Sequence, residues 1–535
     1  MAGLSFRKII FISSMFFHNH LKISKLSSKQ GVCNEAQLGF LNLESLGKKT
    51  DLGNHVLLFN GERVLLRSSS SSSSLFPYFM LVAFEAGSLI RALVLLLLYP
   101  LIFLCSEDLA LKAMVMVSFI GLKKERFVEG RSVLPKFFLD DVAMESFEVV
   151  RKGKMAVAIS DLPQVMVETF LGNYLGIDFV VGRELKTFRG YFLGVMMEEQ
   201  IKNDEVEALI SNSSNKVLGI VNGSKKLCVD DYCRWFSHCK EIYSVSEEER
   251  SKWHKLPRDC YPKPLIFHDG RLAFRPTFFA TLAMFTWLPM GIALGILRIA
   301  ATVTLCNALR FPILHLTGIH IRVYNSKNID SSQDRKKEKG ALYVCNHRTL
   351  IDPLLLSFCL KKPLTAVVYS LSRISEILSP IKTVRLTRNR DRDAKLLQNL
   401  LSQGNVALCP EGTTCREPYL LRFSPLFTKI TDRVHPVAIN CHVTMFYGTT
   451  ARGLKVLDPL LNLMNPWPTA WVHFLEVAHV GGSAMAIDNG SDEENSKYEM
   501  ANLVQASIAK ELGFTCTKLT RKDKYLILAG NEGLV

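Results

Sequence analysis

The C-terminal half of the chain is organised around residues 341–360, ALYVCNHRTLIDPLLLSFCL. The apolar start of this stretch, 341–345, predicts a buried β-strand, and 353–360 predicts a helix. Asp352 and Pro353 are typical of a helix start, with Asp at the N-cap and Pro at the first helical position. His347 and Asp352 therefore flank one tight turn at the carboxyl end of a strand, where the carboxylate can reach the imidazole.

This pair of side chains has the chemistry of a general base. A carboxylate bonded to one ring nitrogen holds the histidine tautomer and stabilises the imidazolium, so the other nitrogen can accept a proton from an alcohol. No serine or cysteine nucleophile is needed for such a step. The spacing alone also fits an ordinary helix-capping aspartate beside a solvated histidine, and both interpretations stay open at this point.

Strands and helices alternate after this turn. Strands are predicted at 364–369, 405–409, 434–439 and 470–477, and a helix is predicted at 392–402. This alternation predicts a layered α/β domain with a partly parallel sheet. In such domains the loops at the carboxyl ends of the strands form the ligand site.

Two more polar segments lie beside predicted strand ends. In 409–418, CPEGTTCREP, Gly412 lets backbone amides approach a ligand, and Thr413 and Arg416 supply donors. In 384–390, VRLTRNR, three arginines place bidentate donors where a phosphate could dock: Arg385, Arg388 and Arg390. A simple strand-to-loop turn and a solvated basic strand edge are the alternatives for these two segments.

Composition limits the class of protein. The chain has 535 residues, enough for two or three domains, with 48% hydrophobic residues and a net charge of +15. The basic surplus indicates an anionic partner, but zinc-finger spacing, basic-region heptads and RNA-binding signatures are missing, which excludes nucleic acid. The thirteen cysteines contain no Cys-x-x-Cys pair and indicate reduced thiols with no zinc site. A membrane surface and a phosphorylated ligand fit best.

Apolar runs indicate where a bilayer could be contacted. The segment 276–297 has 22 residues without a charge, between Arg275 and Arg298, and is the best membrane-spanning candidate. A second run, 299–309, could form a hairpin with it or extend one long element, and a buried core helix is the alternative. An earlier apolar stretch, 76–105, follows seven serines (68–74) that predict a flexible loop.

The N-terminal half also has an α/β pattern. Strands are predicted at 55–59, 156–160, 179–181 and 216–221, and a helix at 163–171. The first fifty residues have a basic start and predict a variable tail.

The combined motifs resemble the land-plant glycerol-3-phosphate acyltransferase family. The resemblance is carried by Asn346-His347-Arg348-Thr349, by 410–423 (PEGTTCREPYLLRF) and by 520–530 (TRKDKYLILAG). It implies that His347 deprotonates the glycerol hydroxyl, which attacks an acyl-CoA thioester, and that Asp352 orients His347. It further implies substrate-binding roles for the following residues: Arg388, Glu411, Gly412, Thr413, Arg416 and Pro436. One departure is Asn389, where the family usually has an aspartate.

By the same resemblance, the N-terminal half has a haloacid-dehalogenase-like phosphatase fold. That chemistry needs an aspartate nucleophile, a second aspartate and Mg²⁺. Asn60 stands at the nucleophile position, Glu62 at the second acid, and Arg63 where a glycine belongs, while Ser160 could preserve a phosphate-contacting hydroxyl. No Gly-Asp-x-x-x-Asp motif appears near residues 219–231, although Asp230 and Asp231 are nearby. We expect the fold without phosphatase activity.

The sequence thus predicts a variable tail (1–50), a phosphatase-like domain (51–270) with a hydrophobic insertion (76–105), a membrane segment (276–320) and an acyltransferase domain (325–535). The expected reaction is acyl transfer from acyl-CoA to the sn-2 hydroxyl of glycerol 3-phosphate, giving lysophosphatidic acid without a metal or cofactor. A lysophospholipid acyltransferase, a non-catalytic membrane scaffold and a working metal-dependent phosphatase are the alternatives.

The resemblance also implies a location. The expected membrane is that of the endoplasmic reticulum, with mitochondria as the alternative. The acyltransferase domain is expected on the cytosolic side, because acyl-CoA is there and because Arg298, Arg310 and the lysines around Lys336 suggest a positively charged inner flank.

Overall fold

The chain divides into two compact units in the computed structural model, 1–265 with 275–282 and 266–274 with 283–535. The structure describes residues 41–49, 51–69, 71–200, 206, 208, 210, 216–222, 235–325, 340–369, 373–431, 433–448, 451, 454–479 and 493–532. Residues 1–40 of the predicted N-terminal tail lie outside this set, as do Asp230, Asp231 and Lys336. Residues 266–274 belong to the second unit. The four-part division predicted from the sequence stays a prediction.

A seven-stranded sheet forms the centre of the first unit, as far as the described residues show, in the order β1-β7-β6-β2-β3-β4-β5. The strands are β1 (Leu41–Asn42), β2 (Val56–Asn60), β3 (Met155–Pro163), β4 (Phe179–Phe188), β5 (Tyr191–Gln200), β6 (Val217–Asn222) and β7 (Glu241–Val245). All neighbours are parallel except β4 and β5. The central strands β2 and β6 are buried along their whole length, as expected for a parallel sheet covered on both faces. The four predicted strands of this half are confirmed.

The helices of the first unit are Leu43–Gly47, Gly61–Leu65, Phe76–Val82, Leu89–Leu104, Glu107–Phe119, Glu129–Ser132, Leu134–Leu139, Met144–Arg151, Gln164–Glu168 and Glu247–Ser251. The flexible loop predicted for the serine run is wrong for its described residues. Ser69 is 1% exposed, and Ser72–Leu75 forms a 3-10 turn. The Ser68 hydroxyl donates to the Asp141 carboxylate and accepts from Arg275 Nη2 at 2.6 Å. These tertiary partners order a segment whose composition alone indicates flexibility.

An eight-stranded sheet lies in the second unit, again counting described residues, with the main order β11-β10-β12-β9-β14-β15-β8 and β16 beside β14. The strands are β8 (His320–Tyr324), β9 (Leu342–Cys345), β10 (Leu364–Val368), β11 (Lys382–Arg385), β12 (Asn405–Leu408), β14 (Arg433–His442), β15 (Thr469–Phe474) and β16 (Ala478–His479), and a separate pair joins β13 (Tyr419–Leu420) to β17 (Thr515–Cys516). The strands β9 to β12 and β14 run parallel, which confirms the predicted partly parallel sheet. Their carboxyl ends therefore meet at one edge.

The helices of this unit pack apolar side chains on both faces of the sheet. They are Asn307–Leu316, Asp352–Leu360, Arg373–Ile377, Arg390–Gln403, Asp458–Leu463, Glu493–Leu512 and Arg521–Ala529. One core cluster contains Val344, Leu397, Phe427 and Val504. The other cluster lies on the opposite face of the sheet. It contains the strand residues Cys345, Ile439 and Val472 and the helix residue Leu356.

One described helix, Phe278–Thr304, is long and apolar enough to cross a membrane. The expectation of several central membrane helices is not confirmed. The second apolar run does not form a separate span, because its first part continues the long helix to Thr304 and its last part belongs to Asn307–Leu316, a helix that contains Pro312. Several large side chains of the long helix are exposed, including Phe279 (78%) and Met290 (65%).

Arg298 does not mark the end of this helix. It lies inside the helix, is fully buried, and its guanidinium donates to the carbonyl oxygens of Leu463 at 2.6 Å and Asn465 at 2.7 Å. Arg275 is also engaged within its own unit, 3.1 Å from the Asp141 carboxylate. Arg275 and Arg298, which border the predicted span in the sequence, therefore both bind protein groups.

Candidate active site

The His347 and Asp352 side chains meet as predicted. His347 Nδ1 lies 3.0 Å from Asp352 Oδ2, on the turn that follows β9. The Asp352 side chain is completely buried, whereas the His347 side chain retains 15% exposure and lines a cavity. The arrangement leaves Nε2 as the ring nitrogen that can serve a ligand, because Nδ1 is bonded to the carboxylate. The alternative of a solvated histidine beside a simple cap does not describe this geometry.

Asp352 is not the helix N-cap that the sequence predicts. It is the first residue of the helix Asp352–Leu360, and Ile351 precedes it as the cap residue. Its Oδ2 accepts from the backbone amides of Arg348 at 2.6 Å and Thr349 at 2.8 Å, while Oδ1 accepts from the Thr349 hydroxyl at 2.6 Å. The carboxylate therefore closes the preceding turn around His347, which holds the pair rigidly.

Asn346 ties the catalytic turn to the neighbouring strand β14. Its side-chain amide donates to Ile439 O at 2.8 Å and accepts from Ile439 N at 2.7 Å, and the residue is fully buried. Pro436 lies in the same strand, in register with Val344. Pro436 is not among the described residues that line the cavity, so its role in shaping the acyl site stays a prediction.

Glu411 joins its own segment, 409–418, to the turn that carries His347. Oε1 accepts from His347 N at 2.7 Å and Oε2 accepts from Leu421 N at 2.8 Å. Burial raises the pKa of this carboxyl to about 7, although the two amides favour the charged form. These contacts make Glu411 a positioning residue, and its direct contact with a substrate stays a prediction.

Arg348 fastens the same segment from the other side. Its Nη1 donates to Cys415 O at 2.9 Å and to Glu417 O at 2.7 Å, and Cys415 N donates back to His347 O at 2.8 Å. The two motifs are thus one hydrogen-bonded unit, although more than sixty residues separate them in the chain.

Gly412 and Thr413 line the cavity beside His347. Gly412 has φ of +65°, a conformation that other residues adopt at a cost of about 1–2 kcal/mol. A Cβ placed there would meet only Tyr369 Cε2, at 4.0 Å. The glycine is therefore required by the backbone conformation, since space is available for a side chain.

Replacing Gly412 with alanine tests this point. We expect the backbone strain to displace the loop and to lower acyl transfer about 5- to 30-fold, the equivalent of that strain. Gly513→Ala is a matched control, because Gly513 has φ of +67°, open space around it and no place in the cavity wall. Both variants should lose thermal stability, and only Gly412→Ala should lose activity in proportion. Equal activity of the two variants would contradict the assignment.

The arginine segment is only partly brought to the site. Arg388 has φ of +67°, and its amide donates to Asp393 Oδ2 at 2.9 Å. Tyr369 lines the cavity, and burial raises the pKa of its phenol. The positive charge of Arg388 opposes this shift. Arg385, in contrast, is bonded to the Glu376 carboxylate, and it stays outside the lining of the cavity among described residues. Arg390 has no described side chain.

Asn389, the one departure from the family pattern, keeps its local role. Its side chain accepts from Arg392 N at 3.1 Å and caps the helix Arg390–Gln403. Asparagine and aspartate are equally good caps, so the exchange preserves the start of this helix.

Arg416 faces elsewhere. Its Nη1 donates to Gly270 O at 2.6 Å, and its guanidinium lies 4.5 Å from the centre of the Tyr447 ring. It is absent from the described lining of the cavity, and its predicted contact with the phosphate stays a prediction.

The lining of the cavity is mixed. Its polar side chains include His347, Thr413, Thr414, Lys524 and Arg521. Its apolar side chains include Ile299, Leu350, Leu354, Leu378, Leu460 and Leu463. Ile299 belongs to the long apolar helix. A ligand that has both a charged group and a hydrocarbon chain fits this lining.

Sequence reasoning missed three residues of the site. Asp393 is 1% exposed and holds the arginine turn by accepting from Thr387 N at 2.8 Å and from Arg388 N. Lys524 and Arg521 line the cavity from the last helix. The only signal for these two in the sequence is that the segment 520–530 resembles the family's C-terminal segment.

The phosphatase-like site of the first unit has an amide at the nucleophile position. Asn60 ends β2, is 2% exposed, and its Oδ1 accepts from Arg63 N at 2.8 Å. Glu62 Oε1 accepts from Asp161 N at 2.8 Å, and Ser160 Oγ accepts from Leu162 N at 3.1 Å. These side chains stabilise the strand ends, and the amide cannot form an aspartyl-phosphate.

The residues around Asn60 do not fit Mg²⁺. Asp161 Oδ2 lies 3.5 Å from Arg63 Nε, and Oδ1 lies 3.8 Å from Arg183 Nη2. Burial, with the Asp161 charge, raises the pKa of Glu62 to about 7. Magnesium requires ionised oxygen ligands, and here guanidinium groups already face the carboxylate. Within the described residues no group of three or more metal-ligating side chains is assembled.

Comparison with known proteins agrees with these observations. A family model described as "Glycerol-3-phosphate acyltransferase RAM2-like, HAD-like domain" matches residues 56–245, and a model described as "Acyltransferase" matches residues 320–440. The second match and the histidine–aspartate site together define an acyltransferase.

Relatives of known name narrow the class. The chain is 51% identical to "Probable glycerol-3-phosphate acyltransferase 3" of Arabidopsis thaliana, over 91% of this chain and 92% of the relative. It is 46% identical to "Glycerol-3-phosphate acyltransferase 1" of the same plant, over 88% and 81%. It is 39% identical to "Glycerol-3-phosphate acyltransferase RAM2" of Petunia hybrida, over 86% and 95%. The chain belongs to the plant glycerol-3-phosphate acyltransferase family.

Proposed function

We propose that this protein transfers an acyl group from acyl-CoA to the sn-2 hydroxyl of glycerol 3-phosphate and releases lysophosphatidic acid and free CoA. The observation that carries the proposal is the buried Asp352 bonded to His347, whose side chain lines a cavity together with cationic and apolar side chains. The family membership supports the choice of acceptor.

The residues present account for a direct transfer. His347 Nε2 takes the proton of the acceptor hydroxyl, and the oxygen attacks the thioester carbonyl carbon. The tetrahedral intermediate collapses with cleavage of the C–S bond, and the thiolate of CoA takes the proton back from the imidazolium. Asp352 stabilises that imidazolium through Nδ1, so the charge formed during the step is paired inside the protein.

The nearby thiols are poor candidates for a covalent route. Cys409 and Cys441 are close to the catalytic pair, and Cys441 Sγ lies 4.0 Å from Asp352 Oδ1. The hydrogen bond with Cys345, followed by burial, raises the pKa of the Cys409 thiol, and burial together with the Asp352 charge raises the pKa of the Cys441 thiol. A protonated thiol is a weak nucleophile, so the acyl group passes to the alcohol in one transfer.

We place the protein at a membrane through the helix Phe278–Thr304. A second apolar surface supports this placement. The helix Leu89–Leu104 exposes Ile90 (74%), Leu97 (69%) and Leu104 (81%), and exposed apolar patches of this kind are typical of membrane or protein contact sites. An endoplasmic-reticulum membrane with the site facing the cytosol suits a reaction that consumes acyl-CoA.

The test of function is product analysis with membranes that contain the full chain. Labelled glycerol 3-phosphate and a series of acyl-CoA donors should give labelled lysophosphatidic acid, with the label in the sn-2 monoacyl product. Membranes without the protein are the control. Acyl transfer to lysophosphatidic acid with no transfer to glycerol 3-phosphate would favour the lysophospholipid alternative and would overturn the proposal.

We further expect the first unit to lack phosphatase activity. The purified protein should release no phosphate from lysophosphatidic acid, and Mg²⁺ or EDTA should leave its thermal midpoint unchanged. Asn60→Asp should also stay inactive, because Arg63 and Arg183 still face the Asp161 carboxylate. The measurement is phosphate release with a known phosphatase as the positive control. Magnesium-dependent release by the unaltered protein would show that Asn60 has been misinterpreted.

A further inference from the structure

The C-terminal helix Arg521–Ala529 places a buried cation in the wall of the cavity. Lys524 is 7% exposed, and its ammonium donates to Thr414 O at 2.5 Å, to Thr414 Oγ1 at 3.2 Å and to Thr413 Oγ1 at 3.3 Å. All three acceptors belong to the loop that follows Glu411 and Gly412. The amide of the next residue, Cys415, donates to His347 O. The ammonium is therefore attached to the loop that contacts the catalytic turn.

The charge of Lys524 is not balanced by a contact. Its three acceptors are neutral, and within the described part of the chain it forms no ion pair with a carboxylate. Asp269 and Glu411 act on it only at longer range, and Arg416 opposes them. Burial dominates and lowers the pKa of the ammonium to about 8. A buried, unpaired ammonium is costly, and a bound anion would remove most of that cost.

A second cation lies on the same helix. Arg521 precedes Lys524 by three residues, which puts both side chains on one face, and both line the cavity. The Arg521 guanidinium lies 4.7 Å from the centre of the Tyr525 ring. Lys455 also contributes to the cavity lining. The other lysine of the helix, Lys522, is exposed, and its ammonium lies 2.8 Å from the Glu532 carboxylate.

We infer that Lys524 and Arg521 bind the phosphate monoester of the acceptor, and this inference rests on the function proposed above. In glycerol 3-phosphate only two carbons and an ester oxygen separate the sn-2 hydroxyl from phosphorus. The phosphate must therefore bind near His347 when the hydroxyl meets Nε2. The ammonium on the 412–415 loop and the guanidinium beside it are the cations that the structure assigns to that position, because Arg385 and Arg416 are engaged elsewhere.

The phosphates of CoA have the same chemistry and must be distinguished from that of the acceptor. Kinetics of Lys524→Met with each substrate varied in turn make this separation. We expect the KM for glycerol 3-phosphate to rise about 10- to 100-fold, the value of a charge-assisted contact, with the KM for acyl-CoA unchanged. A rise confined to the KM for acyl-CoA would assign the cations to CoA and would overturn the inference. An unchanged KM for both substrates would overturn it as well.

Glycerol as the acceptor provides a readout that a structural defect would not move. Glycerol has the hydroxyl groups but no phosphate, so Lys524→Met should reduce turnover of glycerol 3-phosphate far more than turnover of glycerol. Equal loss with both acceptors would show a general defect and would refute a phosphate contact. Lys522→Met is the matched control, because it removes the same charge from the exposed side of the same helix and should leave all constants unchanged.

Two further measurements keep the outcome decisive. If Lys524→Met is too unstable to purify, Arg521→Gln is the second variant, since Arg521 is half-buried and its loss leaves the Lys524 contacts intact. It should raise the KM for glycerol 3-phosphate in the same direction, and an unchanged KM would refute the site. Failure of the unaltered protein to acylate glycerol 3-phosphate would refute the proposed function instead, which is a distinguishable result.

Discussion

His347→Ala is expected to lower kcat/KM for acyl transfer about 10²- to 10⁴-fold, the range for loss of a positioned general base. The variant removes the only ring that faces both the cavity and the buried Asp352 among the described side chains. Binding of both substrates should change little, because the cationic and apolar side chains that line the cavity remain. The loss should therefore appear in kcat and leave the KM values within a few-fold of the unaltered protein. Initial rates with radiolabelled glycerol 3-phosphate measure it.

The control for this variant is His479→Ala. His479 is exposed, and it lies opposite Arg433 at the start of β14, the edge of the sheet that is far from the carboxyl end of β9. The His479→Ala variant should be fully active. Retention of more than about a tenth of the activity by His347→Ala would show that another group takes the proton, and the mechanism would have to be abandoned.

The second large effect is expected in stability, at Arg298. Its guanidinium donates to Leu463 O, Asn465 O, Pro466 O at 3.2 Å and Thr317 O, and the residue is fully buried. Arg298→Leu would leave these carbonyls without their donor. At about 1–3 kcal/mol for each buried group left unsatisfied, loss of the donor to these four carbonyls should lower the free energy of unfolding of the second unit by at least about 4 kcal/mol.

Thermal denaturation in detergent, followed by tryptophan fluorescence, measures this loss. A fall of that size should lower the midpoint by at least about 6 °C in a domain of this length. The same helix contacts Met464 through Trp287 Nε1 at 2.9 Å, and Gly295 lies against Leu460, so its detachment should also open the cavity wall and reduce activity. Arg392→Leu removes an equal charge from an exposed position and serves as the control. An unchanged midpoint for Arg298→Leu would mean that the guanidinium does not anchor the helix.

Local spacing explains which features were predictable. His347 and Asp352 are five residues apart and share one turn, so strand, turn and helix propensity together place them in contact. Asn60 could be judged from its residue type, because an amide cannot do the work of a nucleophilic carboxylate. Four strands of the first sheet and five strands of the second sheet were predicted, because buried strands are short apolar runs.

Long-range contacts explain what the sequence did not reveal. Asp393 lies in a predicted helix, and the sequence indicates no role for it. In the structure the residue is buried, and its carboxylate accepts from the backbone amide of Arg388. Arg416 sits in the motif that follows Gly412, yet its side chain extends to Gly270. Position in a motif indicates the backbone path, whereas the direction of a long side chain depends on which acceptors the fold brings near it.

The sequence by itself determined the chemistry of this protein: an α/β acyltransferase domain with a histidine–aspartate pair, and a phosphatase-like domain whose nucleophile position holds an amide. Both conclusions depend on short motifs of neighbouring residues and on the family that these motifs resemble. Only the tertiary structure decided which cations line the cavity and which bind backbone carbonyls of the fold. Arg298 and Lys524 are both buried cations on helices, but the first is surrounded by four backbone carbonyls and the second opens onto the cavity beside His347. Charge has no directional signature in sequence, and its role is set by partners that folding brings together from distant parts of the chain.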